Sequence, residues 1–184
     1  MERRGAGVGG GNGELGTGER SGRTSTPVRV KDLAGVLAIA AGYDHGLALL
    51  QDGTVRAWGW RTLGNESNST TLSTAPVPIP ALTEVTAISA RGGDSFALTK
   101  DGTLWAWGDN SVGQLGTGQD AKWDNIPKPV SGLKGVIAIT AGLSAHFAQT
   151  QDGTMWTWGT TLGPVAHHCC PAKLFGRPVS HLES

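Results

Sequence analysis

VTAISARGGDSFALTKDGTLWAWGDNSVGQLGTG, residues Val85–Gly118, is the stretch against which every other readable segment aligns. Its centre, Phe96 to Trp107, holds two apolar runs of period two that meet at Asp101-Gly102. Asp-Gly between alternating runs is a strong hairpin signal, and it predicts a two-residue turn with both residues in the left-handed region. The same hairpin recurs from His45 to Trp58 around Asp52-Gly53-Thr54, and from Ala145 to Trp158 around Asp152-Gly153-Thr154. Repeats at spacings of 49 and 51 residues make this a repeat protein, in which each unit buries its apolar face against the next.

Working outward, each unit adds a run before the hairpin and a Pro-marked segment after it. Strands are expected over 36–41, 46–50, 54–58 and 76–79, then 85–90, 95–99, 103–107 and 127–130, then 136–141, 146–150 and 154–158. Small residues dominate the first strand of each set (Ala38, Ala40, Ala41; Ala87, Ser89, Ala90), as suits an inner strand crowded near an axis. Proline is tolerated at a sheet edge and not within a sheet, so the segments at Pro76 and Pro127 are expected to be outermost strands. Pro27-Val28-Arg29-Val30 matches them, and Gly13-Glu-Leu-Gly-Thr-Gly18 matches Gly113-Gln-Leu-Gly-Thr-Gly118. The chain therefore reads as all-β, a partial β-propeller of about three four-stranded antiparallel blades. The units are 1–35 (end of an incomplete repeat, with an outer strand), 36–80, 85–130 and 136–163 (blades), and 164–184 (a divergent tail).

The residues resemble the regulator of chromosome condensation repeat family. The resemblance is carried by Trp107-Gly108, Gly113-Gln114-Leu115-Gly116, the run Val36 to Gly42 and the loop Gly42-Tyr43-Asp44-His45. It covers roughly residues 11 to 163. The family's histidine position holds His45, then Asp94, then Ala145, and Arg91 stands where glycine occurs at 42 and 142. The resemblance implies a ring usually closed by seven blades. Three blades would leave two faces uncovered, so a fragment of a longer propeller, or self-association to complete it, is expected. The family includes a nucleotide-exchange factor for the small GTPase Ran and a secreted β-lactamase inhibitor. It implies a non-enzymatic protein–protein interaction scaffold, the alternative being a propeller module of a larger enzyme or cell-surface protein.

Composition narrows the classes further. Gly at 29 of 184 is about double ordinary usage, as short strands and tight turns require. Lys+Arg and Asp+Glu stand at 15 each, so no bulk charge points to nucleic acid or to a membrane surface. There is no apolar run of membrane-spanning length and no apolar core to the N-terminus that would make a signal peptide, so a cytoplasmic location is the default.

Motifs with chemical content are few. Gly11-Asn-Gly-Glu-Leu-Gly16 fits a dinucleotide fingerprint literally, but lacks the strand before and the helix after that the phosphate would need. His167-His168-Cys169-Cys170 has metal-ligand atoms without C-x-x-C or H-x-x-H spacing, so no metal and no cofactor are expected. No catalytic residues are assigned: a nucleophile–base pair needs contact near about 3 Å, and His45 and Asp94 fall on successive blades. Trp58, Trp107 and Trp158 share one repeat position, and blade-to-blade packing is the expected use of those rings.

Hairpin parity indicates where binding would occur. In a four-strand meander the first and third loops leave one end of the blade, and the uniform Asp-Gly turns leave the other. The first end varies most in sequence, as recognition loops on a rigid scaffold do. The exposed candidates there for a protein partner are Tyr43, His45, Trp60, Arg61, Asp94, Asp109, Lys122 and Trp123.

Overall fold

The computed structural model describes residues 11–20, 24–61, 63–65, 72–119, 121–143, 145–159 and, for the backbone alone, 172–174. His167–Cys170 and most of the tail lie outside the described residues. Twelve strands form three antiparallel sheets, and no helix occurs among the described residues. Blade 1 holds β1 (Val36–Ala41), β2 (His45–Leu50), β3 (Val55–Trp60) and β4 (Leu72–Pro78). Blade 2 holds β5 (Val85–Arg91), β6 (Asp94–Thr99), β7 (Leu104–Asp109) and β8 (Trp123–Pro129). Blade 3 holds β9 (Val136–Ala141), β10 (Ala145–Thr150), β11 (Met155–Gly159) and β12 (Ala172–Leu174). In every sheet the spatial order is the chain order.

That order puts the proline-bearing β4 and β8 at the sheet edge, where missing N–H groups cost least. The small-residue strands are innermost. β5 packs against both β1 and β9, so the sheets converge where side chains are short.

Two apolar cores lie between the blades, one per interface. The first gathers Leu47, Leu63, Ile79, Leu82, Val85, Ala97 and Trp107. The second gathers Phe96, Leu115, Val130, Val136, Ala148 and Trp158, residues about one repeat further on. The indoles Trp58, Trp107 and Trp158 are all buried, as their shared position predicts. Trp158 Nε1 donates to the Gln114 carbonyl at 2.9 Å, and Trp58 Nε1 to the Glu14 carbonyl at 2.9 Å. The rings lie so close to the Leu-Gly turns that a methyl group at Gly116 would stand 2.9 Å from the Trp158 ring.

Three sequence expectations are corrected. The Asp-Gly turns are not two-residue turns: Gly53 N–H bonds to the Leu50 carbonyl at 3.0 Å and Leu50 N–H to the Thr54 carbonyl at 2.9 Å. Only the glycines at 53, 102 and 153 take positive φ, with Asp52, Asp101 and Asp152 on the ordinary side. Each loop is therefore a three-residue turn ending in a glycine bulge, and the preceding Gln or Lys is its first member. The aspartate instead closes the turn through its side chain. Asp52 Oδ1 accepts from Thr54 N–H at 3.0 Å and Asp101 Oδ1 from Thr103 N–H at 3.0 Å. Hydrogen bonds from these threonines, and from Thr99 to Asp101, hold both carboxyls below their ordinary range.

Second, Pro27–Val30 is not a strand, because no third strand of a preceding sheet lies beside it among the described residues. The neighbouring turn is nonetheless docked, with Gly18 N–H on the Thr74 carbonyl at 2.7 Å and Lys31 N–H on the Gly16 carbonyl at 2.8 Å. Third, blade 3 has its fourth strand inside the tail expected to diverge: Met155 pairs with Leu174 and Thr157 with Ala172. Pro171-Ala-Lys-Leu174 carries the leading proline of Pro76 and Pro127, but it follows Pro127 by 44 residues where the earlier interval is 51, and that shortened spacing hid it.

Trp107 is fully buried between blades, whereas Trp105 on the same strand is only partly buried. Trp107→Ala should cost about 3–5 kcal/mol and Trp105→Ala clearly less, as measured by urea unfolding of the two variants.

Candidate recognition surface

The loops expected to share one end of the blades do so. Backbone bonds tie them together: Tyr43 N–H reaches the Gly92 carbonyl of the next blade at 2.8 Å, Trp60 N–H the Asp44 carbonyl at 2.7 Å, and Asp109 N–H the Gly93 carbonyl at 3.0 Å. Where β3, the β1–β2 loop and blade 2 meet, a pocket of about 200 Å³ opens, lined by Tyr43, Asp44, Trp60, Arg61, Gly92, Gly93, Asp109 and Trp123. Five of the eight sequence candidates are thus brought together. Lys122 is exposed beside Trp123 without lining the pocket.

Arg61 is the centre of this arrangement. Its guanidinium carbon lies 3.8 Å from the centroid of the Trp60 ring and 5.8 Å from that of Trp123. Its backbone is left-handed, φ 68°, a conformation costing about 1 kcal/mol or more for a bulky side chain. The corresponding residue of blade 2, Asn110, is ordinary in backbone and wholly structural in role. Asn110 Nδ2 donates to the carbonyls of Gln119 at 2.8 Å and Ala121 at 2.9 Å, and its Oδ1 accepts from Leu115 N–H at 3.1 Å. Blade 1 has an outward-facing cation where blade 2 has a loop clasp.

The two remaining candidates are not exposed. His45 is 4% and Asp94 5% accessible, and both reach across to the next blade. His45 Nε2 lies 2.8 Å from Ser95 Oγ, and Asp94 Oδ2 lies 3.2 Å from His146 Nε2. The expectation that both face solvent from the loop is therefore corrected. Each begins the second strand of its sheet, and the blade stacking aims it at the adjacent residue of the following repeat. A repeat offset of fifty, applied to His45 and Ser95, was the available signal.

Burial pushes the His45 imidazole down to about 4, which keeps it neutral at pH 7 and a poor base for Ser95. Burial pushes the Asp94 carboxyl up, partly offset by His146. The pairs act as latches between blades. They also explain Arg91: a methyl group at Gly42 would run into the His45 ring, whereas blade 2 has no ring at 94 to avoid. Gly11–Gly16 forms part of the docked turn, with no helix following it.

The fold and this surface define a β-propeller repeat protein whose variable loops gather at one end of the blades. Sequence models of the "Regulator of chromosome condensation (RCC1) repeat" match residues 7–49 and 101–148, and a second model of the same description matches 36–65 and 85–114. The chain belongs to this repeat family. Members are generally binding or regulatory scaffolds. Among solved structures, human WBSCR16 is similar with a TM-score of 0.71 at 24% identity, covering 85% of this chain and 42% of its own. Prp20p of Saccharomyces cerevisiae, described with its binding to Gsp1p and histones, gives 0.68 at 23% identity, covering 81% and 38%. The yeast RCC1 (Prp20) complex with Kap60 gives 0.69 at 22%, covering 81% and 39%. This chain spans about two fifths of the chains it matches.

The neutral His45 generates a pH prediction. Its folded value lies below the ordinary 6.5, so its contribution to stability is complete above pH 6.5 and is lost as pH falls toward about 4. The slope is up to about 1.4 kcal/mol per pH unit. Asp94, shifted upward, contributes in the opposite sense at the acid end. Subtracting the pH dependence of His45→Gln from that of the native chain, by chemical denaturation from pH 7 to 4.5, should isolate the histidine slope.

Proposed function

We propose that this chain is a non-enzymatic protein-interaction scaffold that binds its partner through the loop end of blades 1 and 2. The observation that carries this reading is the convergence of Tyr43, Trp60, Arg61, Asp109 and Trp123, from separate loops of two blades, on one pocket. Exposed aromatic residues with an arginine are the side chains that most often anchor protein interfaces. Tyr43 is 65% accessible and stands at the rim. At about 200 Å³ the pocket is smaller than the roughly 300–1,000 Å³ of small-molecule sites, which favours a single inserted side chain. Prp20p, which shares the fold, binds Gsp1p and histones; at 23% identity that likeness supports the architecture and leaves this chain's partner to its own loops.

The test compares the two ends of the blades. With the chain immobilised, Trp60→Ala combined with Arg61→Ala should strip the retained protein partner by tenfold or more, about 1.4 kcal/mol. Gln51→Ala and Gln151→Ala, on the Asp-Gly turns, should leave it. Equal loss from both ends would refute the assignment.

We propose also that the two outer faces associate between copies. Ile39 on β1 is 76% accessible, and Leu37, Ile137 and Phe147 are exposed with it on the outermost blades. Light scattering should give a mass above the 19.0 kDa of one chain, reverting toward it with Ile39→Glu. A native monomer at that mass would remove this reading.

A further inference from the structure

The same pocket carries a more specific reading, which rests on the loop end being the interaction face. We propose that Trp60, Arg61 and Trp123 form a carboxylate-binding notch that takes an acidic side chain, glutamate or aspartate, of a protein partner.

The geometry of Arg61 argues first. With its guanidinium carbon 3.8 Å over the Trp60 ring and 5.8 Å from the Trp123 centroid, the exposed Arg61 is held against aromatic surface while its N–H groups keep their donor capacity. Among the described residues it has no ion-pair partner, although Asp44 and Asp109 line the same pocket. A planar fork fixed by aromatic rings is preorganised for two parallel bonds to a carboxylate, and ordering it beforehand removes entropy that binding would otherwise cost.

Charge argues second. Arg91, next to Gly92, and Lys122, next to Trp123, are exposed and without ion pairs among the described residues. Of the two carboxylates, Asp109 Oδ1 already accepts from Ser111 N–H at 2.9 Å. Arg61 within the notch, with Arg91 and Lys122 adjoining its lining residues in sequence, sets three cations against two carboxylates, Asp44 and Asp109. A basic side chain entering there would meet the Arg61 guanidinium over the Trp60 ring.

Position argues third. Asn110 shows what this place in the repeat does when it serves the loop. Among the described residues Arg61 makes none of those bonds, and it holds a left-handed backbone with its guanidinium over the Trp60 ring.

The test uses the full chain and three fluorescein-labelled octapeptides of alternating glycine with glutamate, glutamine or lysine, read by anisotropy at about 50 mM salt, where Debye screening is weak. The glutamate peptide should saturate, and the glutamine and lysine peptides should not. Arg61→Gln and Arg61→Lys should each weaken the glutamate peptide by about tenfold or more, since lysine keeps the charge and loses the fork. Lys122→Gln should weaken it no more than about threefold, in keeping with a rim charge. Arg61→Gly separates binding from folding: glycine accepts φ 68°, so its thermal midpoint should hold or rise while binding is lost. A lysine peptide that binds equally well or better, unchanged affinity in Arg61→Gln, or free glutamate competing as well as the peptide would each overturn the proposal. If no peptide binds but the Trp60–Arg61 double variant still strips the partner, the acidic notch falls and the interaction face stands. If that variant and the turn variants lose partner equally, the face itself falls.

Discussion

Each blade is held to its neighbour by an indole. The tryptophan before the Trp-Gly glycine of the third strand (Trp58, Trp107 or Trp158) lies under the Leu-Gly turn of the preceding repeat, with its N–H on a turn carbonyl at 2.9 Å for Trp58 and Trp158. The ring supplies apolar area and the N–H satisfies a carbonyl that the same packing would otherwise strand. Because the turn backbone sits on the ring and takes φ 64° at Gly16, a side chain there is strained: a methyl would stand 3.0 Å from the Trp58 ring. Trp-Gly in one repeat and Leu-Gly in the previous one are two halves of a single joint. That is why the turn at 13–18 is docked on blade 1 although no strand of its own repeat accompanies it among the described residues.

The buried polar latches act beside that joint. A neutral imidazole on a hydroxyl, as at His45 and Ser95, satisfies both groups with no charge to desolvate. Asp94 and His146 are a harder pair to bury. Among the described residues neither His146 nitrogen makes an aligned hydrogen bond, and its ring packs 4.8 Å from Phe96 and 5.8 Å from Trp158. The two interfaces therefore share a shape while differing in polar chemistry. With the loop backbones cross-bonded above them, the latches fix the depth at which Tyr43, Gly92 and Gly93 stand.

Sequence periodicity made the fold legible because burial repeats with it: Leu47 and Phe96, Leu63 and Leu115, Val85 and Val136 fall at corresponding places in the two cores. The site was legible in part. Parity of the meander placed Tyr43, Trp60, Arg61, Asp109 and Trp123 at one end, and they meet there. It could not tell a loop residue that faces water from one that faces the next blade, since that depends on the rotation between sheets. His45 and Asp94 were misplaced for that reason. The turn type was missed on a similar ground: Asp-Gly fits two hairpin geometries, and only the hydrogen bonds of Leu50 with Gly53 and Thr54 distinguish them. β12 lies off the period: the proline before it, Pro171, follows Pro127 by 44 residues where Pro127 follows Pro76 by 51.

The contrast between the two ends of the blades follows from the same backbone. At the Asp-Gly end, the Gly53 carbonyl accepts from Val85 N–H and the Gly102 carbonyl from Val136 N–H, each at 3.0 Å, where the chain enters the next blade. Gln51 and Gln151 N–H groups bond in turn to the Gly35 and Gly135 carbonyls. Those turns are joints of the scaffold, so their sequences are held near constancy by geometry. Among the described residues the opposite end shows one backbone bond from blade to blade, Tyr43 N–H to the Gly92 carbonyl, and a residue there can leave structural duty without opening the stack, as Arg61 has done where Asn110 has not. The repeat consumes one end and leaves the other, where the proposed recognition surface lies, free to vary.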